Sequence, residues 1–420
     1  MPKPRAQPSV EAELRIDALG AQGDGLAAGP VYVPLALPGE RVRARVAGDR
    51  ATLLEVLTES PERIAPVSPH YGRCGGCALQ HWSHAPYLAW KVEQLRLALA
   101  RERIETEMEP PFAAAPGTRR RLALHARSDG RGGARLGFKA RKSWDLVEVE
   151  VCPIADPRLV AAFPALRRLA AAFLEHPKSA PTLHVTVTET GLDVDVTGVE
   201  RRSGGLSADR RMQAAEAASA ADLARVTLAG EILYGARQPV VRFGRATVAL
   251  PAGGFLQAVA EAETVMAETA VAAVVGARRV ADLFCGAGAF SFPLAELAPV
   301  LAADASAAAV QALSAAAGGV PGLKPIRAEA RDLFRRPFSA ADLKGIDAAV
   351  FDPPRAGAQA QTAELAQSGV GRVVGVSCNP ATFARDARAL IDAGFTLTQV
   401  KPIDQFLWSP HMELVGVFNR

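Results

Sequence analysis

Between residues 12 and 60 the hydrophobic positions fall into four short runs, "ELRIDALG", "PVYVPLAL", "ERVRARVAG" and "ATLLEVLTE", separated by breaks containing Gly, Pro or Asp. Short strands at such close spacing predict a small β-barrel over residues 1–60. Barrels of this OB-like kind often grip single-stranded or looped nucleic acid. "SPERIAPVSPHYGRCGGCALQHW" is rich in Pro, Gly and Cys and reads as a loop. In "APYLAWKVEQLRLALARERI" Leu88, Val92, Leu95, Leu99 and Ile104 recur near helical spacing with charges between, so an amphipathic helix closes a Cys-rich segment, 61–110.

Residues 111–240 read as a central, mostly β domain that includes "DLVEVEVCPI" and "TLHVTVTETGLDVDVTG", with the Ala-rich "SADRRMQAAEAASAADLARV" as a helix. From about 241 to 420 the pattern becomes strand, helix, strand, helix. "RRVADLF", "PVLAADA", "LKPIRAEA", "DAAVFD", "RVVGVSC" and "FTLTQVKPID" are the strands, with "AAAVQALSAAA" and "FARDARALIDAG" helical between them. That alternation predicts a doubly wound, mainly parallel sheet, with ligands beyond the carboxyl ends of the strands. The expected class is α/β: a C-terminal Rossmann-like sheet, an N-terminal OB-like barrel and a central β-rich domain.

Hydrophobic residues make up 49% of the 420 and charged residues 22%, a soluble globular composition. No uncharged apolar run approaches membrane-spanning length, and "MPKPRAQPSVEAELR" lacks the apolar core of a leader, so a cytoplasmic protein is expected. Five cysteines argue against a disulfide framework and raise metal or thiol chemistry instead. Net charge is only +4, yet "GTRRRLALHARSDGRGGARLGFKARKSWD", residues 117–145, holds nine Lys or Arg against two Asp. Such a patch suits a phosphate backbone, or it is a solvated face. Its Gly-broken segments favour an exposed β-hairpin surface.

"ADLFCGAGAFSFPLA", residues 281–295, runs from a strand through Gly286 and Gly288 into a helix. Asp304 ends the next strand, where an acid can accept both hydroxyls of a ribose. G-x-G-x-x-G and a Walker lysine are both absent. A ribose site without a pyrophosphate site points to S-adenosylmethionine rather than NAD or ATP. Cys285, inside the turn, reads as packing. "AVFDPPRAG" holds Asp352 at the ligand edge with two prolines fixing the turn. In "GVSCNPATF" Cys378 ends a strand, a position open to packing or to chemistry. "DQFLWSPHMELVGVF" places His411 and Glu413 just before an apolar strand.

In that order "DLFCGAG", "DPPRAG", "SCNPAT" and "HMELV" resemble the S-adenosylmethionine-dependent RNA 5-methyluridine methyltransferases. "LPGERVRARV" and "CGGCALQH" resemble the same family's N-terminal barrel, the TRAM domain, and its iron–sulfur segment, so the resemblance spans nearly the whole chain. It implies methyl transfer to C5 of a uridine in RNA, with Cys378 as nucleophile toward C6 and Glu413 as the base that removes the C5 proton. It further implies cofactor contacts from Gln257 in "AGGFLQAVAEAE", Phe284, Asp304, Asp352 and Glu329, with Asp332 competing for the last role. His411 is expected to orient or pack. Val259 and Ala289 stand where the family often has polar Asn. Cytosine-C5 methylation usually resembles a Pro-Cys motif, which "DPPRAG" lacks. A non-catalytic RNA-binding protein is the reading from another class. Length leans to ribosomal over transfer RNA, and a monomer is the default.

The family's iron–sulfur pattern is matched by Cys74, Cys77 and Cys152, with Ser68 where a fourth Cys is expected. Ligation through the serine oxygen, a three-thiol 4Fe–4S cluster with an outside ligand, and loss of the cluster all stay open. The Cys74–Cys77 spacing also suits zinc, with His70 or His81 as candidate partners.

Overall fold

The computed structural model describes residues 9–200 and 205–420. The first eight residues of the expected barrel, and of the stretch read for a leader, lie outside the described residues. Val10–Leu19, Gly25–Ala27, Val31–Val33, Arg41–Ala47 and Arg50–Thr58 close into a barrel. Ile16, Val33, Val42 and Ala44 fill its interior. Arg41, Arg43 and Arg45 alternate outward and pair across strands with Glu13, Glu55 and Glu11. The run "PVYVPLAL" shrinks to a three-residue strand, because Pro34 follows it and Leu35 turns the chain at φ 67°. Gly25–Ala27, without a pattern of its own, completes the closure.

The predicted helix is His84–Arg101. Its buried face differs from the expected one: Tyr87, Lys91, Leu95, Ala98 and Leu99 are inside, whereas Leu88 and Val92 are only partly covered. Lys91, one of the charges between the apolar positions, is fully buried against Asp404 at 2.5 Å.

The central sheet has seven strands in the order Glu231–Gly235, Arg225–Leu228, Gly191–Thr197, Thr182–Thr188, Arg121–Ser128, Ala134–Lys139, Leu146–Glu148. Leu122, Leu124, Leu183, Val185, Val194 and Val196 meet the helices Phe163–Ala172 and Ala208–Ala220 in one core. Two expectations are corrected. Only Leu146–Glu148 of "DLVEVEVCPI" is strand, and the Ala-rich helix stops at Ala220 because "RVTL" is needed as the strand Arg225–Leu228.

The C-terminal sheet has eight strands in the order Ile326–Ala330, Val300–Asp304, Val280–Leu283, Ala348–Phe351, Arg372–Ser377, Glu413–Asn419, Thr396–Asp404, Phe112–Ala113. The first five are mutually parallel, and Glu413–Asn419 runs antiparallel between its neighbours. Strand order reverses between Val280–Leu283 and Ala348–Phe351, the topological switch where open α/β sheets bind ligands. Two details depart from the pattern. Val240–Phe243 and Ala246–Ala249 form a hairpin before the alternation starts. Phe112–Ala113, grouped by pattern with the central domain, is the edge strand of this sheet.

Candidate active site

Four strands deliver their last residues to one edge. Val280–Leu283 leads to Phe284, Val300–Asp304 ends on Asp304, Ala348–Phe351 leads to Asp352 and Arg372–Ser377 leads to Cys378. Glu413 begins the antiparallel strand at the same edge. Ser377 pairs with Leu414, so one step further in this register come Cys378 and Glu413.

Local sequence fixes Cys378. Asn379 accepts the Ala381 N–H at 3.1 Å and caps the helix Pro380–Asp392, with Pro380 at its first position. The thiol thus sits at a helix N-terminus, where the macrodipole favours negative charge. Asn379 Nδ2 and Thr382 Oγ1 both donate to the Arg355 carbonyl, which ties "SCNPATF" to the "DPPRAG" turn. Burial pushes the half-buried Cys378 thiol up, Glu413 adds to this, and the Arg355 guanidinium pulls it back down. Arg355 also donates to a His411 ring nitrogen at 3.1 Å, so His411 positions the arginine.

Glu413 is buried and held well above the usual carboxylate range, by desolvation first and then by the Asp352 charge. Asp352 is raised for the same first reason. A hydrogen-bonded chain links the two: Gln257 Nε2 donates to Asp352 Oδ2 at 2.8 Å, and Gln405 Nε2 donates to Gln257 Oε1 at 2.7 Å and to Glu413 Oε2 at 3.0 Å. Gln405 Oε1 in turn accepts the Ala258 N–H at 3.0 Å. Val259 is buried in the sheet core. Its missing polar side chain is matched by Gln405 reaching the backbone beside it.

On the other side of the switch, Asp304 Oδ2 accepts the Gly286 N–H at 3.0 Å and Oδ1 accepts the Ser306 N–H at 2.7 Å, holding the glycine turn against the next strand. A Cβ on Gly288 would lie 2.7 Å from the Phe292 ring, so only glycine fits there. Phe284 adopts φ 63°, a left-handed conformation that costs a non-glycine residue energy and marks functional turns. Its ring meets that of Phe334 at 5.4 Å. Beneath, Asp282 is fully buried, accepts the Ser291 hydroxyl and is pushed up to about 7 by burial. Cys285 is buried in the core. Glu329 is ion-paired with Arg331 at 3.2 Å, and Asp332 caps its own turn through the Phe334 and Arg335 N–H groups.

Gln405, Arg355, Asp282 with Ser291, and Phe334 are missed by sequence reasoning. Arg355 lies inside a quoted motif, a usable signal. Gln405 lies inside a quoted stretch as well, but its bond to Glu413 depends on the pairing of Thr396–Asp404 with Glu413–Asn419.

A profile of the tRNA (Uracil-5-)-methyltransferase family matches residues 244–420. Across 97% of the chain and 89% of its own length, a 23S rRNA (uracil(1939)-C(5))-methyltransferase of Chromohalobacter salexigens is 32% identical. The chain belongs to the RNA uracil-C5 methyltransferase family. An uncharacterized RNA methyltransferase of Caulobacter vibrioides is 65% identical over 97% of this chain and all of its own. The fold is shared with a Pyrococcus abyssi tRNA (uracil-54, C5)-methyltransferase in complex with S-adenosyl-L-homocysteine, at TM-score 0.74 and 23% identity over 97% of this chain and 99% of that one. Within this methyltransferase family frame, part of the basic stretch 117–145 proves structural. Arg120 pairs with the buried Glu263 at 2.7 Å, and Arg121 donates to the Leu256 carbonyl at 2.6 Å, so neither is a free surface charge.

Cys74, Cys77 and Cys152 line one small cavity together with Ser68 and His70. Burial raises all three thiols, Cys77 to about 12, with the other two thiols adding to the Cys77 shift. Among the described residues no three His, Cys, Asp or Glu side chains gather closely enough to hold one metal ion. His81 does not line the cavity; it stacks on Tyr71 at 5.4 Å. The three thiols on this one cavity are the kind of donor set a thiolate-held cluster uses, with Ser68 in the fourth place.

Proposed function

We propose that the protein transfers the methyl group of S-adenosylmethionine to C5 of a uridine in RNA through a transient bond between Cys378 Sγ and uracil C6. The observation that carries this is that Cys378 and Glu413 come opposite each other in register at the carboxyl edge of the sheet, with Glu413 joined through Gln405 and Gln257 to Asp352.

C5 of uracil is a poor nucleophile. Addition of the Cys378 thiolate to C6 converts the ring to an enolate; C5 then bonds to the methyl group as the sulfonium's methyl–sulfur bond breaks, leaving a neutral thioether. Glu413 accepts the C5 proton, the C5–C6 double bond reforms, and the Cys378–C6 bond breaks to return the thiolate. Arg355 and the helix N-terminus favour the thiolate, and burial keeps Glu413 basic enough for the proton transfer. Phe284, the glycine turn, Asp304 and Gln257 would hold the methyl donor, and Glu329 sits on the neighbouring strand.

Ribosomal RNA is the proposed substrate, supported by the 32%-identical 23S rRNA enzyme. Cys74, Cys77 and Cys152, with Ser68 at the fourth position, would hold a 4Fe–4S cluster whose role here is structural: it would tie the Cys-rich loop to the central domain.

The test is methyl transfer to unmodified RNA by wild type and Cys378→Ala, with trapping by RNA containing 5-fluorouridine. Fluorine at C5 cannot leave as a proton, so the adduct persists. Wild-type turnover with no adduct at Cys378 would falsify the covalent route.

A further inference from the structure

The alternation of Thr182–Thr188 and Gly191–Thr197 sends Leu183, Val185, Val194 and Val196 to the helix-covered face of the central sheet. The intervening residues point to the other face, which in antiparallel sheets commonly meets water. Here it does not. Thr186, Asp193, Asp195, Arg225 and Thr227 are all buried. In register, Thr186 pairs with both Arg121 and Asp193, and His184 pairs with Asp195. Between this polar face and Gly253 and Gly254 lies a cavity of about 130 Å³, walled also by Arg121, His184, Thr186, Asp193 and Asp195. It is well below the roughly 300–1,000 Å³ of a whole small-molecule site. It lies apart from Cys378, yet Gly253 is only four residues before Gln257, a reach of at most about 14 Å.

Most polar atoms in the wall are engaged. Arg225 grips Asp193 with two bonds, at 2.8 and 2.7 Å. Arg121 holds the Leu256 carbonyl, and His184 Nε2 meets Thr197 Oγ1 at 3.2 Å. Asp195 Oδ1 accepts from Thr227 at 2.6 Å. Among the described residues no donor reaches Asp195 Oδ2, although the residue as a whole is only 9% exposed. This oxygen is not among the sealed, unpartnered atoms of the interior, so it stays open to a donor brought from outside. Gly253 passes this oxygen at φ +66°, and a Cβ there would come within 3.2 Å of it. Glycine therefore keeps the approach to the carboxylate open. Beside the cavity Phe255 is 70% exposed, with the Arg121 guanidinium 5.2 Å from its ring. An exposed ring of this kind is a platform on which a base can stack.

We propose that this cavity receives a second nucleobase of the substrate RNA, close in sequence to the methylated uridine, which presents an amino group to Asp195. The carboxylate only accepts, so it suits the exocyclic amino group of adenine, cytosine or guanine; uracil has no amino group and could offer only its N3–H. The pocket would fix which uridine reaches Cys378 by reading its neighbour. The inference rests on the uridine-methylation reading.

The experiment uses the full protein and a short RNA that it methylates. Each nucleotide flanking the target is replaced in turn by an abasic sugar, and kcat/KM is measured. One position should lose at least about tenfold, the size of a typical base mismatch. Replacing that base by its amino-free analogue should reproduce the loss with wild-type protein, so this arm needs no variant. Asp195→Asn, checked for an unchanged fold by circular dichroism, should lose its discrimination at that position and keep it elsewhere. Methylation that is indifferent to every flanking base, or an Asp195→Asn protein with the wild-type pattern, overturns the inference alone. A wild type that methylates no uridine in any RNA overturns the methyltransferase reading, and the inference with it.

Discussion

Gln405 Nε2 lies 3.0 Å from Glu413 Oε2 and 2.7 Å from Gln257 Oε1, so one amide joins the proposed base to the proposed cofactor side. Gln405→Leu would leave a buried carboxylate without its donor. A lost bond to a charged group is worth about 1.5–3 kcal/mol. Turnover should fall roughly 10- to 100-fold. The pH profile should move to higher pH, since the bond holds the Glu413 pKa down. Unchanged kinetics would remove Gln405 from the site.

Glu413→Gln separates the two halves of the reaction. Methyl transfer to C5 needs only the Cys378 adduct, whereas release needs the C5 proton removed. The variant should therefore accumulate a covalent protein–RNA species that survives denaturing electrophoresis. Cys378→Ala should form none and lose about 10⁴-fold or more in turnover, as when an enzyme's nucleophile is deleted.

The pH dependence has a definite sign. Burial raises Glu413 to about 8, and it raises Cys378 above its ordinary value as well. Both groups work deprotonated, so kcat/KM of the free enzyme should climb with pH and level off above about 8 or higher. Arg355→Met removes the cation that lowers both groups, and the rising limb should shift toward alkaline pH. A shift in the acid direction would contradict the assignment.

Strand ends were the most legible part of the chain. Cys378, Asp352 and Asp304 each follow an apolar run, and a parallel sheet must place such residues along one edge. Asn379 and Pro380 carry their own helix-start signal. The Gln405 link was not legible, because it depends on how Thr396–Asp404 pairs in register with Glu413–Asn419. The burial of Lys91 was not legible for a related reason. Its fit inside depends on Asp404, more than three hundred residues away in sequence and invisible to helical periodicity. The polar face of the central sheet shows as alternation, but its burial comes from a segment on the far side of the hairpin Val240–Ala249.

Lys91→Met would strand the Asp404 carboxylate in the core with the Tyr87 hydroxyl and the Phe406 N–H as its remaining donors. Removing one member of a buried pair costs about 3–5 kcal/mol. Denaturant unfolding should report a loss of that order. Adding Asp404→Leu should recover much of it, because the unpaired charge is then gone.

Protein prepared without air should carry iron and sulfide with visible charge-transfer absorbance. Cys74→Ala or Cys152→Ala should lose both. Ser68→Cys should make the cluster slower to bleach in air. Iron content unaffected by loss of either thiol would place any iron elsewhere.

Phe112–Ala113 crosses over to pair with Ile403 and Asp404 before the chain returns to the central sheet. The segment that precedes it also supplies Lys91. A truncated C-terminal half would retain Cys378 and Glu413, yet it would bare the flank of Thr396–Asp404 and leave Asp404 with no counter-cation. Bare strand flanks invite self-association. The reacting half is thus not autonomous: it is sewn shut by the N-terminal residues, and excising it should give insoluble protein rather than a minimal enzyme.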